Sequence, residues 1–250
     1  MSIAASWTID DQLTARLNTE RLACKIDLKY PSLGLREIEA AGKRLVGISP
    51  LQISATPALP EGEQLAECYV RGTDLIAEYR QAPGRSARPA VYWRYLDGDQ
   101  YGSAIEVIIS METDHLSSDP RVTLVSHFSS VLDLSYLHAE HDDLFASVKP
   151  VSNEPTQLNL TDIQPLCLVR MGDEPLQYGE AIHPTDFAGV QIAREGETLV
   201  VRYELFAESL EKGVIRRGRA LAAFVPAGCA EAAMVHWYGT MQQASPPLTA

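Results

Sequence analysis

Apolar and polar residues alternate with a period of two along most of this chain, and clusters of Gly, Pro, Asp and Asn interrupt the alternation every ten residues or so. That rhythm predicts many short strands joined by tight turns, as in a sandwich or barrel. It marks strands over residues 21–28, 34–40, 65–71, 75–81, 90–96, 103–112, 121–129, 167–171, 189–194, 198–207 and 214–225. The turns PGRSARP (83–89), DGDQYG (97–102) and REGET (194–198) supply glycine for positive φ or proline for a fixed one. Short loops imply antiparallel neighbours.

Two stretches break the rhythm. EHDDLFASV (140–148) reads as a short helix, and AEAAMVHWYGTMQQ (230–243) as a longer one rich in Ala, Met and Gln. In the longer helix Met234, Trp237 and Met241 share one face, the spacing of a helix docked on a sheet. Residues 244–250 are a loose tail, and the Pro- and Asn-bearing segment 149–165 reads as a crossover inside one domain. The expected architecture is therefore a single all-β domain over 1–250, a large antiparallel β-sandwich (supersandwich-like) with a short C-terminal helix.

With 46% hydrophobic residues in 250, the chain has ample material for a continuous core. Its 33 acidic and 21 basic side chains leave a net charge of -12, a field that repels phosphate backbones and argues against nucleic acid as a partner. The N-terminal MSIAASWTIDDQLTARL lacks the layout of a secretory signal, and no window approaches 18 apolar residues, so the expectation is a cytoplasmic protein without a membrane partner. Cys24, Cys68, Cys167 and Cys229 lie far apart with no metal-type or CxxC spacing, and read as buried structural thiols.

Against this acidic background, KGVIRRGR (212–219) concentrates four basic residues. On a strand it divides by parity: Arg216 joins Gly218, Ala220, Ala222 and Phe224 on the apolar side, whereas Arg217 and Arg219 face away. In TLVVRYELFAE the mixed face holds Arg202, Glu204 and Glu208. A hairpin closed by residues 209–212 would set Glu204 opposite Arg217 and Arg202 opposite Arg219. Arg217 and Arg219, about 7 Å apart as same-face neighbours, would then clamp a carboxylate or sulfate while Glu204 holds sugar hydroxyls, since guanidinium donates two parallel hydrogen bonds. The competing reading is a solvated cross-strand Glu/Arg pairing contributing about 0–1 kcal/mol.

The segment AVYWRYL sets Trp93 and Tyr95 on one face and Tyr92 and Arg94 on the other; either pair suits the core, and Trp93 with Tyr95 are candidates for an aromatic sugar platform. His127, where a strand runs into a polar turn, is the candidate proton donor. HAEHDD (138–143) contains metal-type donors, but in no recognisable metal-loop pattern. The sequence holds no GxSxG, P-loop, GxGxxG after a strand or HExxH, so no cofactor is expected.

The early glycine-centred strand pair ACKIDLKYPSLGLREIEAAGKRL, the many antiparallel strands and the length together resemble the aldose 1-epimerase group, the galactose mutarotase-like β-sandwiches. SHFSSVLDL (126–134) is loosely similar to that family's NHSYFNL-type histidine segment, which implies His127 as general acid toward the ring oxygen. The family's base is a carboxylate late in the chain, where Glu204 and Glu208 lie; its second histidine motif has no match. The resemblance implies a partner that is a small carbohydrate or acidic oligosaccharide, with mutarotase-like acid/base chemistry by His127 and Glu204. The alternative is a noncatalytic β-sandwich presenting a sheet face to another protein. Oligomeric state is left open.

Overall fold

The computed structural model describes residues 7–56, 65–81, 87–129, 131, 133–141, 144–148, 155–171, 175–206 and 208–245. The largest element is a nine-stranded sheet, in the order Phe145–Ser147, Asp133–His138, Ile163–Arg170, Leu176–Ile182, Arg216–Pro226, Ser103–Glu112, Arg88–Asp97, Asp74–Tyr79 and Leu65–Arg71. A five-stranded sheet, Thr156–Leu158, Phe187–Glu195, Thr198–Leu205, Arg121–Ser129 and Ile48–Thr56, packs across its inner face. A second five-stranded sheet, Trp7–Ile9, Thr14–Asn18, Leu22–Asp27, Arg36–Ala40 and Lys43–Arg44, is built from the N-terminal residues and joins the same core. Every paired strand is antiparallel, as short loops require.

Alternation explains the packing. In Arg216–Pro226 the even residues Ala220, Ala222 and Phe224 enter the core between the sheets, while Leu221, Ala223 and Val225 face outward. That outward apolar patch is covered by the helix Ala230–Gln243 through Met234, Trp237 and Met241, the three residues its spacing aligns. Docking is close because Gly98 and Gly179 lie beneath it: a Cβ on Gly98 would overlap the Trp237 ring, and one on Gly179 the Met234 side chain. The Trp237 indole N–H donates to the Tyr101 carbonyl at 3.0 Å and fixes the helix over the 97–102 turn.

Several expectations change. Residues 198–205 and 216–226 do not form a hairpin: Thr198–Leu205 pairs with Arg121–Ser129 and Phe187–Glu195, whereas Arg216–Pro226 pairs with Ser103–Glu112 and Leu176–Ile182. Parity assigns a face to each residue but not a neighbour to each strand, and residues 206–215 carry the chain from one sheet to the other. The stretch expected as a helix at 140–148 contains a turn and the strand Phe145–Ser147, paired with Ser135, Tyr136 and Leu137; there sheet pairing overrides weak helix propensity. Cys24 and Cys167 are buried, and burial pushes each thiol up to about 12; Cys68 is half-buried and Cys229 exposed on the turn before the helix. Part of the 83–89 turn, residues 149–154, Asp142 and Asp143, and the tail from 246 lie outside the described residues. No helix among the described residues is long and apolar enough to cross a membrane.

A polar cluster sits inside the sandwich. Glu180, on the inner face of Leu176–Ile182, is fully buried. Its Oε1 accepts hydrogen bonds from the Ser126 hydroxyl and, at 2.8 Å, from the Tyr178 hydroxyl. Ser126 belongs to the five-stranded sheet, where it also accepts the N–H of Leu51 from the neighbouring strand at 2.9 Å, so its bond to Glu180 ties the two large sheets together. The Tyr203 hydroxyl nearby meets those of Tyr136 and the Cys167 thiol, each at 3.1 Å. Burial pushes Glu180 up to about 7, outweighing the hydroxyl hydrogen bonds that favour its charged form.

Candidate functional site

The outer face of the nine-stranded sheet is apolar under the helix and polar beyond it. The polar part is a grid fixed by register. Asp74 stands opposite Arg94, and Arg94 opposite Glu106. Ile76, Tyr92, Ile108 and Arg219 form the next row, and Glu78, Ala90, Ser110 and Arg217 the row after it. Each side chain is there because its strand alternates: in SAIEVIISME the residues Glu106, Ile108, Ser110 and Glu112 share the outward parity, while Ile105, Val107 and Ile109 enter the core.

The first rows are internally satisfied. Arg219, only 4% exposed, directs Nε and Nη2 to Glu106 Oε1 at 2.8 and 2.6 Å, and Nη1 to the Ala244 carbonyl at 2.7 Å. Arg94 forms a two-pronged pair with Asp74 at 2.7 and 3.0 Å and approaches Glu106 at 3.8 Å. Next to Arg219, Asp186 accepts its backbone N–H at 3.1 Å, and burial raises the Asp186 carboxyl above its ordinary range.

The last rows open into a cavity of about 550 Å³, within the range of small-molecule sites. Glu78, Arg88, Tyr92, Ser110, Glu112 and Ile215 line it, with Arg80 and Asp114 also on its wall. Arg88 and Glu112 hold one another at 2.7 and 3.2 Å. Ser110, 6% exposed, has a buried hydroxyl without a hydrogen-bond partner among the described residues. Burial raises the Tyr92 phenol; Glu78 adds to that shift and Arg217 opposes it, which places both charges in the field of this ring. A buried hydroxyl is normally paired, and this one stands on the cavity wall without a partner among the described residues.

No protein-family model matches the chain, and no curated protein sequence matches it significantly. Solved structures do. A candidate aldose 1-epimerase from Escherichia coli K12 superposes with a TM-score of 0.53 at 9% identity, over 84% of this chain and 98% of that one. A candidate aldose 1-epimerase from Klebsiella pneumoniae gives a TM-score of 0.56 at 9% identity, over 92% and 83%. The chain has their sandwich fold. An α-N-acetylgalactosaminidase from Bifidobacterium bifidum, solved with GalNAc, also superposes, with a TM-score of 0.51 at 11% identity, over 97% of this chain and 38% of that one.

Within this epimerase-type sandwich the residues singled out in the sequence fall in three places. Arg217 and Arg219 share the outer face of the large sheet, but Glu106 rather than Glu204 is the partner of Arg219. His127, Arg202 and Glu204 lie on the outer face of the five-stranded sheet, on the opposite side of the sandwich. There Arg202 pairs with Glu195 at 2.7 Å. Glu204 is opposite Thr123, four positions from His127 along the ladder, which separates the two by about 13 Å. Trp93 and Tyr95, 1% and 4% exposed, are in the core, so the strand turns its other face, with Tyr92 and Arg94, to the cavity side. Glu106, Ser110, Glu112 and Glu78 carry no motif; their signal is shared parity of polar residues on adjacent strands, which needs the strand order to be seen.

Proposed function

We propose that this protein recognises a carbohydrate in the cavity on the polar part of the nine-stranded sheet. The observation that carries the reading is the buried, unpartnered Ser110 hydroxyl set beside Tyr92 and the Arg88–Glu112 pair in that cavity. A sugar hydroxyl both donates and accepts, so a wall that mixes carboxylates with guanidinium groups suits it. The ring of Tyr92 and the side chain of Ile215 offer apolar surface for the C–H face of a pyranose. The fold supports the reading, since two similar structures are described as candidate aldose 1-epimerases and a third holds GalNAc.

A neutral sugar fits better than an acidic one. Glu78, Glu112 and Asp114 on the wall balance Arg80 and Arg88 together with the adjacent Arg217, and Arg219 is committed to Glu106. Epimerase-type chemistry needs one group to take a proton and another to give one to the same ring. His127 and Glu204 lie about 13 Å apart on the face opposite the cavity, so the reading here is recognition of a sugar rather than its epimerisation.

The test is calorimetric titration of neutral, uronic and sulfated sugars, with polarimetry for anomer interconversion, on the wild type and Ser110→Val. Valine suits a strand and removes a hydroxyl that makes no internal hydrogen bond. The expected result is binding of a neutral sugar that weakens about tenfold in the variant, the loss of one hydrogen bond. A screen without a binder, or binding indifferent to Ser110→Val, would overturn the assignment.

A further inference from the structure

We infer that the edge of the nine-stranded sheet at residues 67–71 pairs with the same edge of a second copy of this chain, forming a two-fold dimer. The inference does not depend on the sugar reading. Leu65–Arg71 is the last strand of the sheet, with Asp74–Tyr79 on one side and no strand on the other among the described residues. An edge strand presents a row of unpaired backbone groups, which proteins usually shorten, bend or cover. The opposite edge follows that rule, since Phe145–Ser147 has only three residues. At this edge the register shifts between Leu65 and Glu67, and the residues after the shift, ECYVR, run regularly against residues 74–78.

The charges on this edge are poorly matched within one copy. Glu67 stands directly opposite Glu78, a like-charge pair that lowers stability, and no cation pairs with Glu67 among the described residues. Arg71, with its side chain 45% exposed, comes only within 3.9 Å of Asp74, while Arg94 holds both oxygens of that carboxylate. Tyr69 packs with Ile76, Tyr92 and Ile108 on the outer face, which by parity also carries Glu67 and Arg71; Cys68 and Val70 pack against the core.

Two copies related by a two-fold axis through Tyr69 match the whole regular segment antiparallel. Glu67 then meets the partner's Arg71, Cys68 meets the partner's Val70, and Tyr69 meets the partner's Tyr69, with the same pairs repeated beyond the axis. Only registers that keep outward residues opposite outward ones leave both cores buried. Among these, an axis at Cys68 sets Glu67 against tyrosine and Arg71 against Leu65 across the bulge, and an axis at Val70 carries Glu67 past the end of the strand. The axis at Tyr69 sets each charge against its opposite and gives Glu67 the cation that its own sheet does not supply.

Analytical ultracentrifugation of the full chain over a concentration series tests this with the wild type, Glu67→Arg, Arg71→Glu and an equimolar mixture of the two variants. The wild type should show a concentration-dependent dimer. Each variant alone sets like charges opposite one another on both sides of the axis and should dimerise about tenfold more weakly or worse. In the mixture every facing pair is again arginine against glutamate, so association should return to within about threefold of the wild type, a rescue that only folded variants can give. Hydrogen exchange on the wild type provides a readout without substitution, with protection of residues 67–71 rising across the dimerisation range. A wild type that stays monomeric to millimolar concentration, variants that dimerise as tightly as the wild type, a mixture of folded variants no tighter than either alone, or protection at residues 67–71 that does not change with concentration would overturn the inference.

Discussion

Glu180 makes the sandwich sensitive to pH in a direction opposite to most carboxylates. Its side chain is fully buried between the sheets, and the groups around it, Ser126, Tyr178, Tyr203, Tyr136 and Cys167, include no cation. The carboxyl ionises at about 7 in the native state, against 4.5 for an ordinary glutamate. Between those values the folded chain holds a proton that the unfolded chain has released, so the contribution is fully present below 4.5 and is lost as pH rises through 7. At 1.36 kcal/mol per unit, the loss amounts to about 3 kcal/mol. Glu180→Gln keeps the shape of the protonated acid and an acceptor for both hydroxyls, so it should remove this loss. Urea unfolding at pH 4.5 and pH 8 should show the variant close to wild type at the lower pH and about 3 kcal/mol more stable than wild type at the higher. A stability difference between the two proteins that stays constant across this range would mean that the Glu180 carboxyl has the same affinity for its proton in the folded and unfolded states.

Other consequences follow from the packing. Arg219→Ala leaves Glu106 buried without its main partner, and denaturant unfolding should register a loss of about 3–5 kcal/mol; a change under 1 kcal/mol would mean water reaches the pair. Gly98→Ala forces a Cβ into the Trp237 ring, so about 1–3 kcal/mol of stability should be lost and the tryptophan emission should shift red as the helix lifts. His127→Ala and Glu204→Gln alter the face opposite the cavity, so sugar affinity by calorimetry should remain within about twofold of wild type, a difference of about 0.4 kcal/mol.

Alternation made the strands legible wherever it was clean. RALAAFV announces its two faces, and LACKIDL buries Leu22, Cys24 and Ile26 as its parity requires. QYGEAI did not announce a strand, because Gln177, Gly179 and Glu180 interrupt its apolar positions; it pairs centrally in the large sheet, and its inward glutamate is tolerated only because Ser126 and Tyr178 supply hydrogen bonds. The division of KGVIRRGR into an inward Arg216 and outward Arg217 and Arg219 was readable from parity alone, but the identity of their neighbours was not. Strand order is decided by how whole sheets bury one another, and a local register argument placed Glu204 and Arg202 opposite Arg217 and Arg219, where Ser110 and Ile108 actually stand. The candidate site was therefore only partly visible: the adjacent Arg217 was apparent in KGVIRRGR, while the cavity's own Arg80 and Arg88, its carboxylates, serine and tyrosine came from segments more than a hundred residues earlier in the chain.

If the ligand-binding face is the polar part of the nine-stranded sheet, a bound sugar perturbs that face and leaves the opposite one untouched. Chemical-shift mapping of the isotope-labelled protein with methyl glycosides tests it most directly. Saturable shifts are expected at Glu78, Tyr92, Ser110, Glu112 and Ile215, with His127, Arg202 and Glu204 unmoved. Shifts centred on His127 and Glu204, with the cavity residues silent, would contradict it.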